Sequence, residues 1–106
     1  MAKYRNRKTV VDNITFDSKK ESLRYSQLKL LLDAGIIRNL LRQPEFPLIV
    51  NGVYCGKYLA DFSYVAECGS LIIEDVKGAS AFHRTPVYRL KKRLVEAMYG
   101  VKITEV

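Results

Sequence analysis

Histidine, cysteine and tryptophan are scarce in this sequence, whose 106 residues include one histidine, two cysteines and no tryptophan. No C-x-x-C pair occurs, so a Cys/His zinc site would lack correctly spaced ligands. With a single histidine and no matching serine and aspartate pattern, a hydrolytic triad has little support. The two cysteines are most simply free thiols. If the protein uses a metal ion, carboxylates must therefore hold it.

Long hydrophobic runs are also missing. No stretch approaches the roughly 18 apolar residues of a membrane span, and the basic first residues are not followed by the apolar core of a signal peptide. We therefore expect a cytoplasmic protein with no membrane partner. Hydrophobic residues make up 48% and charged residues 27% of the chain, which is typical of a globular protein. The length allows one domain.

Negative charge is in deficit. The 18 Lys and Arg residues face only 11 Asp and Glu residues, a net charge of +7. Such an excess favours a polyanionic partner, most often nucleic acid or an anionic membrane surface. Residues 1–8 carry four basic groups and almost no apolar side chains. They are predicted to form a flexible basic arm that precedes a single domain over residues 9–106.

Two segments carry helix signals. Ser18 and Glu21 have the spacing of a capping box and predict a helix over residues 19–34 that ends at Gly35. A second helix is predicted from the Thr85-Pro86 pair to Gly100. The apolar residues with the spacing of a core face are Leu23, Leu28, Leu31 and Leu32 in the first helix and Val87, Leu90, Leu94, Val95 and Met98 in the second.

Strand-like runs lie between the two helices and after the second. They are Phe46–Val50, Lys57–Val65, Leu71–Lys77 and Val101–Val106, while residues 36–43 are ambiguous. Turn signals between the first three runs favour an antiparallel meander. The predicted order is helix, three strands, helix and strand, so the fold class is α+β in a single domain.

Three charged residues stand out by their position in the predicted strands. Asp61 lies among apolar and aromatic neighbours, where an unpaired carboxylate is costly. Asp75 and Lys77 are two positions apart and should share one face of a strand, with Glu74 on the other face. The order of the strands brings the three to one end of the predicted sheet.

Each of these residues also has a structural interpretation. Asp75 and Lys77 could form a solvated ion pair, Asp61 could lie on a half-exposed edge, and Glu21 could be only a helix cap. Together, however, the acids suit a hard cation such as Mg²⁺, which takes one or two carboxylates and keeps several waters. A bound metal lowers the pKa of an attacking water. A neighbouring lysine can hold that water or offset developing charge.

The pattern Asp61 … Asp75-Val76-Lys77 resembles the PD-(D/E)xK nuclease motif, with Ala60 in place of the proline. The sequence at residues 11–21, 43–44, 60–62 and 74–78 is similar to the sequences of small phage-encoded nucleases of that superfamily. These include Holliday-junction-resolvase-type enzymes. The resemblance spans about residues 4–106. It implies a restriction-endonuclease-like αβββαβ core, in which helices flank a mixed central sheet.

The resemblance also implies an activity and the residues that perform it. The protein would be a metal-dependent endodeoxyribonuclease that uses Mg²⁺, or Mn²⁺ in its place, on branched or duplex DNA during phage replication and recombination. Asp61, Asp75 and the Val76 carbonyl would bind the metal, Lys77 would act on the water, and Glu21 would be an additional acid. Two symmetric cuts in a four-way junction need two active sites, which predicts a homodimer. A non-catalytic DNA-binding module on the same fold is the alternative; an RNA-binding protein is a weaker one.

Basic residues are concentrated in residues 84–93, which contain no acid. On the second predicted helix, three of them share a face opposite the expected core stripe and could contact phosphates or simply be solvated. The candidate DNA contacts are Lys3, Arg5, Arg7, Lys8, Lys19, Lys20, Gln43, His83, Arg84, Arg89, Lys92 and Arg93.

Overall fold

The computed structural model describes residues 8–77 and 85–106, which form two helices and eight strands. In chain order these are β1 (Thr9–Val11), β2 (Ile14–Phe16), α1 (Lys19–Asp33), β3 (Arg38–Arg42), β4 (Glu45–Val50), β5 (Val53–Leu59), β6 (Phe62–Val65), β7 (Leu71–Asp75), α2 (Pro86–Tyr99) and β8 (Ile103–Glu105). Neither helix of these two ranges is long and apolar enough to cross a membrane.

The central sheet has four strands in the order β3-β6-β7-β8. Strand β6 pairs antiparallel with β3 and β7, whereas β7 and β8 run parallel. A parallel neighbour needs a crossover connection, and the segment between β7 and β8 contains α2. With α1 ahead of β3, this is the predicted α+β fold with a mixed sheet.

The predicted strands need three corrections. The first strand of the central sheet is β3, from the ambiguous region, whereas β4 pairs with β5 in a separate hairpin. The run Lys57–Val65 is broken at Ala60 and Asp61 into β5 and β6. The β1-β2 hairpin ahead of α1 was not predicted. At the tip of the β4-β5 hairpin, Asn51 and Gly52 have positive φ angles of 50° and 80°, as a tight hairpin turn requires.

Both helices begin at the predicted caps. The Ser18 hydroxyl accepts a hydrogen bond from the Glu21 backbone N–H at 3.1 Å. The Thr85 hydroxyl accepts one from the Tyr88 N–H at the same distance. Helix α2 ends where Gly100 takes the left-handed conformation, with φ of 65°. The capping signals therefore located both helices within a residue.

Two apolar clusters pack on opposite faces of the central sheet. One joins α1 and the β1-β2 hairpin to the sheet through Phe16, Tyr25, Leu28, Ile37, Phe62 and Tyr64. The other joins α2 and the β4-β5 hairpin to it through Leu48, Tyr58, Ala60, Ile73, Val95 and Ile103. Some expected core residues are wrong, because Leu23, Val87, Leu90 and Met98 are exposed. The expected Leu28 and Val95 are buried, and Tyr25 is a buried residue of α1 that was not predicted.

Candidate active site

Asp61 and Asp75 meet at the same end of two neighbouring strands. The Asp61 backbone N–H donates to the Glu74 carbonyl at 3.1 Å and lies 3.3 Å from Asp75 Oδ1. Asp61 Oδ2 in turn accepts the Val76 N–H at 2.7 Å. Asp61 lies in the break just before β6, is partly buried, and is bonded through its backbone and its side chain to the end of β7 and to Val76. The structure therefore places Asp61 and Asp75 next to each other.

Lys77 lies on the same side as Asp75. Its Nζ is 4.0 Å from Asp75 Oδ2, and the two side chains are only 13% and 4% exposed. The interpretation of a solvated ion pair is therefore wrong. The backbone continues the parallel ladder past β7, because the Lys77 N–H donates to the Val106 carbonyl at 2.9 Å. This bond fixes the direction in which the lysine leaves the sheet.

Burial acts against ionisation of both aspartates. It raises the pKa of Asp61, opposed by the Val76 N–H and the charges of Lys77 and Arg42. It also raises the pKa of Asp75, opposed by Lys77 and the Tyr88 hydroxyl. A bound cation would stabilise the charged form of these two partly dehydrated carboxylates.

Glu21 joins the two aspartates from the first turn of α1. Burial, with the negative charge of Asp61 next, raises the pKa of Glu21 to about 7, against an opposing effect of Arg42. The helix-capping hydrogen bond to the Ser18 hydroxyl is donated by the Glu21 backbone N–H and does not involve the Glu21 carboxylate. Within residues 8–77 and 85–106, that carboxylate makes no hydrogen bond. The cap and an acidic role at the site are therefore compatible.

Arg42 is a site residue that the sequence analysis missed. It ends β3, opposite Phe62 in register, and its guanidinium carbon lies 5.0 Å from the centroid of the Phe16 ring. Among the described residues, its Nε is buried with no hydrogen-bond partner. The positive charge of Arg42 lowers the pKa values of Glu21 and Asp61. The sequence analysis selected the neighbouring Gln43 but not Arg42, whose place at the site follows from the register of β3 on β6.

Tyr88 and Glu105 complete the other side of the site and were also missed. Glu105 faces Asp75 in the parallel register of β7 and β8. The Tyr88 hydroxyl lies 2.8 Å from Glu105 Oε2 and 3.2 Å from Asp75 Oδ2. The Lys77 ammonium lies 3.8 Å from the centroid of the Tyr88 ring. Burial and the two carboxylates raise the pKa of Tyr88, so its hydroxyl keeps its proton at neutral pH.

The donor set fits a hard cation. Among the described residues, no group of three or more His, Cys, Asp and Glu side chains is arranged to hold a metal ion. Mg²⁺ does not need one, because it typically takes one or two carboxylates and completes its shell with water. Asp61 and Asp75 supply those oxygens at adjacent strand ends. The Val76 N–H is bonded to Asp61, whereas the predicted role of the Val76 carbonyl stays a prediction.

The basic face of α2 forms one wall of a groove of about 320 Å³. Arg89, Lys92 and Arg93 share this face, as predicted. The Lys92 Nζ lies 3.6 Å from Glu105 Oε2. The groove is lined by Tyr88, Arg89, Lys92, Arg93, Glu96 and Glu105, and it adjoins Asp75 through the Tyr88 hydroxyl.

The remaining predicted DNA contacts are dispersed. Lys8 pairs with Asp17 at 3.4 Å, and Lys20 Nζ donates to the Lys77 carbonyl. The Gln43 N–H donates to the Asp61 carbonyl at 2.9 Å, which places Gln43 beside the site. Lys19 is exposed at the start of α1. Lys3, Arg5, Arg7, His83 and Arg84 lie outside the described residues.

Comparison with known proteins gives one match. No curated protein and no solved structure matches the chain. Residues 1–105 match the family described as "Protein of unknown function (DUF1064)". Because the match covers nearly the whole chain, this protein is a member of the DUF1064 family.

Proposed function

We propose that this protein is a Mg²⁺-dependent endonuclease that hydrolyses phosphodiester bonds in DNA. The observation that carries the proposal is the placement of Asp61 and Asp75 at adjacent strand ends, with the Lys77 ammonium 4.0 Å from Asp75. Two buried carboxylates beside a lysine are costly to a pure DNA-binding surface, since acids repel phosphate.

The residues divide the work as follows. Asp61 and Asp75 would hold the metal, with Glu21 and the Val76 carbonyl as further oxygen donors. When bound, the ion supplies a water of lowered pKa and offsets the charge of the phosphate. Lys77 would hold the attacking water and stabilise developing negative charge. Arg42 would offset negative charge beside Glu21 and Asp61, whose pKa values its charge lowers.

DNA is the proposed substrate because of charge and its distribution. The net charge of +7 and the groove along α2 would attract and align a phosphate backbone. We propose branched DNA, such as a four-way junction, as the preferred structure and a homodimer as the active form, since two symmetric cuts need two sites. The proposed location is the cytoplasm, that of the host if the protein is phage-encoded.

A non-catalytic DNA-binding module is the second candidate. The engagement of the Lys77 ammonium by the Tyr88 ring favours it. Such a module would use the basic groove alone and would need no divalent ion.

The two candidates are separated by a cleavage assay. The purified protein is incubated with a labelled four-way junction, a matched linear duplex and a single strand, in Mg²⁺, Ca²⁺ or EDTA. We expect cleavage in Mg²⁺, fastest on the junction, and binding without turnover in Ca²⁺, because its longer and looser coordination positions water poorly. Full cleavage in EDTA would contradict the metal mechanism. Binding without cleavage in Mg²⁺ and Mn²⁺ would favour the second candidate.

Molecular mass in solution tests the dimer separately. A strict monomer that cuts the duplex as fast as the junction would contradict the resolvase-type activity and leave the nuclease activity standing.

A further inference from the structure

One aromatic side chain contacts both charged groups of the proposed catalytic pair. The Tyr88 hydroxyl lies 3.2 Å from Asp75 Oδ2, and its ring lies under the Lys77 ammonium at 3.8 Å from the centroid. The same hydroxyl lies 2.8 Å from Glu105 Oε2. A phenol has a single proton, which it can donate to either carboxylate, so the hydroxyl joins Asp75 and Glu105 at one point.

The position of Tyr88 is itself fixed from two directions. Its backbone N–H is bonded to the Thr85 hydroxyl at 3.1 Å, in the first turn of α2. Its ring packs 6.2 Å from that of Tyr58, which is 3% exposed in the core below. A side chain anchored at both ends has little freedom to move with the groups it touches.

We propose that Tyr88 is a positioning residue that sets the orientation of the Asp75 carboxylate through its hydroxyl and the place of the Lys77 ammonium through its ring. This inference rests on the proposed function for the roles of Asp75 and Lys77. The two parts of the Tyr88 side chain act differently. The hydroxyl limits rotation of the Asp75 carboxylate, and the face of the ring attracts the Lys77 ammonium. Partners of this kind behind metal ligands commonly change metal affinity or activity by about 10- to 100-fold when removed.

Three variants of the full chain separate these contacts. Tyr88→Phe keeps the ring and removes the hydroxyl, and Tyr88→Leu removes both. Tyr99→Phe is the matched control, because Tyr99 is on the same helix and its hydroxyl donates to the Pro47 carbonyl at 2.7 Å, away from the site. For each protein we would measure unfolding, Mn²⁺ affinity by calorimetry, kcat and KM in Mg²⁺, and the side-chain NMR shifts of Lys77.

We expect Tyr88→Phe to weaken Mn²⁺ binding and lower kcat by about tenfold or more, with KM little changed. The Lys77 methylene protons should keep the upfield shift caused by the ring in Tyr88→Phe and lose it in Tyr88→Leu. Tyr99→Phe should match the wild type in metal affinity, kcat and Lys77 shifts. If Tyr88→Leu does not fold, the phenylalanine variant still decides the role of the hydroxyl, and the wild-type Lys77 shift decides the ring contact.

The outcomes distinguish this inference from the proposed function. A wild-type protein that binds Mn²⁺ but cleaves no DNA overturns the proposed function, while metal affinity and the Lys77 shifts still decide the role of Tyr88. Tyr88→Phe with wild-type Mn²⁺ affinity and kcat overturns the role of the hydroxyl. Lys77 shifts that are unperturbed in the wild type overturn the role of the ring. Absence of Mn²⁺ binding in the wild type overturns both proposals.

Discussion

Two neighbouring acids on β7, Glu74 and Asp75, are almost equally buried, at 1% and 3% exposed, yet they point to opposite faces of the sheet. Glu74 receives two charged hydrogen bonds from Arg24, at 2.7 and 2.6 Å, and a third from the Tyr64 hydroxyl. The contacts of Asp75 are longer: 3.2 Å to Tyr88, 3.3 Å to a backbone N–H and 4.0 Å to Lys77.

The contrast relates the role of a buried carboxylate to the contacts that it makes. A carboxylate that accepts a bidentate guanidinium and a hydroxyl has its lone pairs occupied and serves the packing of α1 on the sheet. A carboxylate with only long contacts, next to a second acid and a lysine, keeps oxygens available for a cation. Burial alone does not separate the two; the number and length of the contacts do.

The largest effect is expected on the Asp75 face. Asp61→Ala, Asp75→Ala and Lys77→Ala should each lower cleavage by at least about 10²- to 10³-fold, since each removes a group that acts in the transition state. Without metal, the two aspartate variants should bind DNA more tightly, because a negative charge that repels phosphate is gone. Circular dichroism checks folding. Near-normal cleavage by any two of the three would contradict the site assignment.

On the Glu74 face the effect should be on stability instead. Arg24→Ala leaves a carboxylate that is 1% exposed without its charged partner, and this should lower the free energy of unfolding by about 3 kcal/mol. We take the lower end of the usual range because Arg24 itself is 25% exposed. Arg93→Ala removes an equal charge from an exposed position and serves as control in urea unfolding. The comparison fails if both variants lose similar stability.

A smaller effect separates the two roles at the start of α1. Ser18→Ala removes the cap oxygen and should lower the free energy of unfolding by about 0.5–2 kcal/mol with turnover unchanged. Glu21→Gln keeps the backbone N–H of the cap, so it should reduce turnover instead. Steady-state cleavage and urea unfolding of both variants decide this. If Glu21→Gln cleaves at the wild-type rate, its carboxylate is not catalytic.

A pH dependence of stability is expected from Glu21 as well. Its pKa is raised from 4.5 to about 7 in the folded protein, chiefly by burial and then by Asp61. Between these two values the folded state holds the proton more tightly than the unfolded state. In EDTA, its contribution to stability is therefore complete below pH 4.5 and is lost as the pH rises through 7. The loss of stability between pH 4.5 and pH 8, measured by unfolding at both values, should be smaller in Glu21→Gln than in the wild type.

Local signals predicted the helices and the acid-x-lysine pair. Ser18 and Thr85 cap their helices through hydrogen bonds to residues three positions later in the chain. Both partners of each bond can therefore be recognised in a short stretch of sequence. Asp75 and Lys77 lie on the same side of the strand because side chains two positions apart share a face. This rule depends only on neighbouring residues. These features depend on short-range geometry, which a pattern can specify.

The rest of the site depends on contacts between distant segments. Strand β3 is held by β6, and the register that sets Arg42 opposite Phe62 follows from the sheet as a whole. Glu105 reaches Asp75 only through the parallel pairing of β8. The break at Ala60 and Asp61 separates Tyr58 in β5 from Phe62 in β6, and the two side chains pack in opposite clusters.

The most direct test of the account is the affinity of Mn²⁺ for the wild type, Asp75→Asn and Glu74→Gln, measured by calorimetry under conditions where all three are folded. Each variant removes one negative charge from a neighbouring position of the same strand, so general electrostatics changes equally. The account predicts that Glu74→Gln binds Mn²⁺ like the wild type and that Asp75→Asn loses binding. Equal affinity in all three proteins, or loss of binding only in Glu74→Gln, would contradict it.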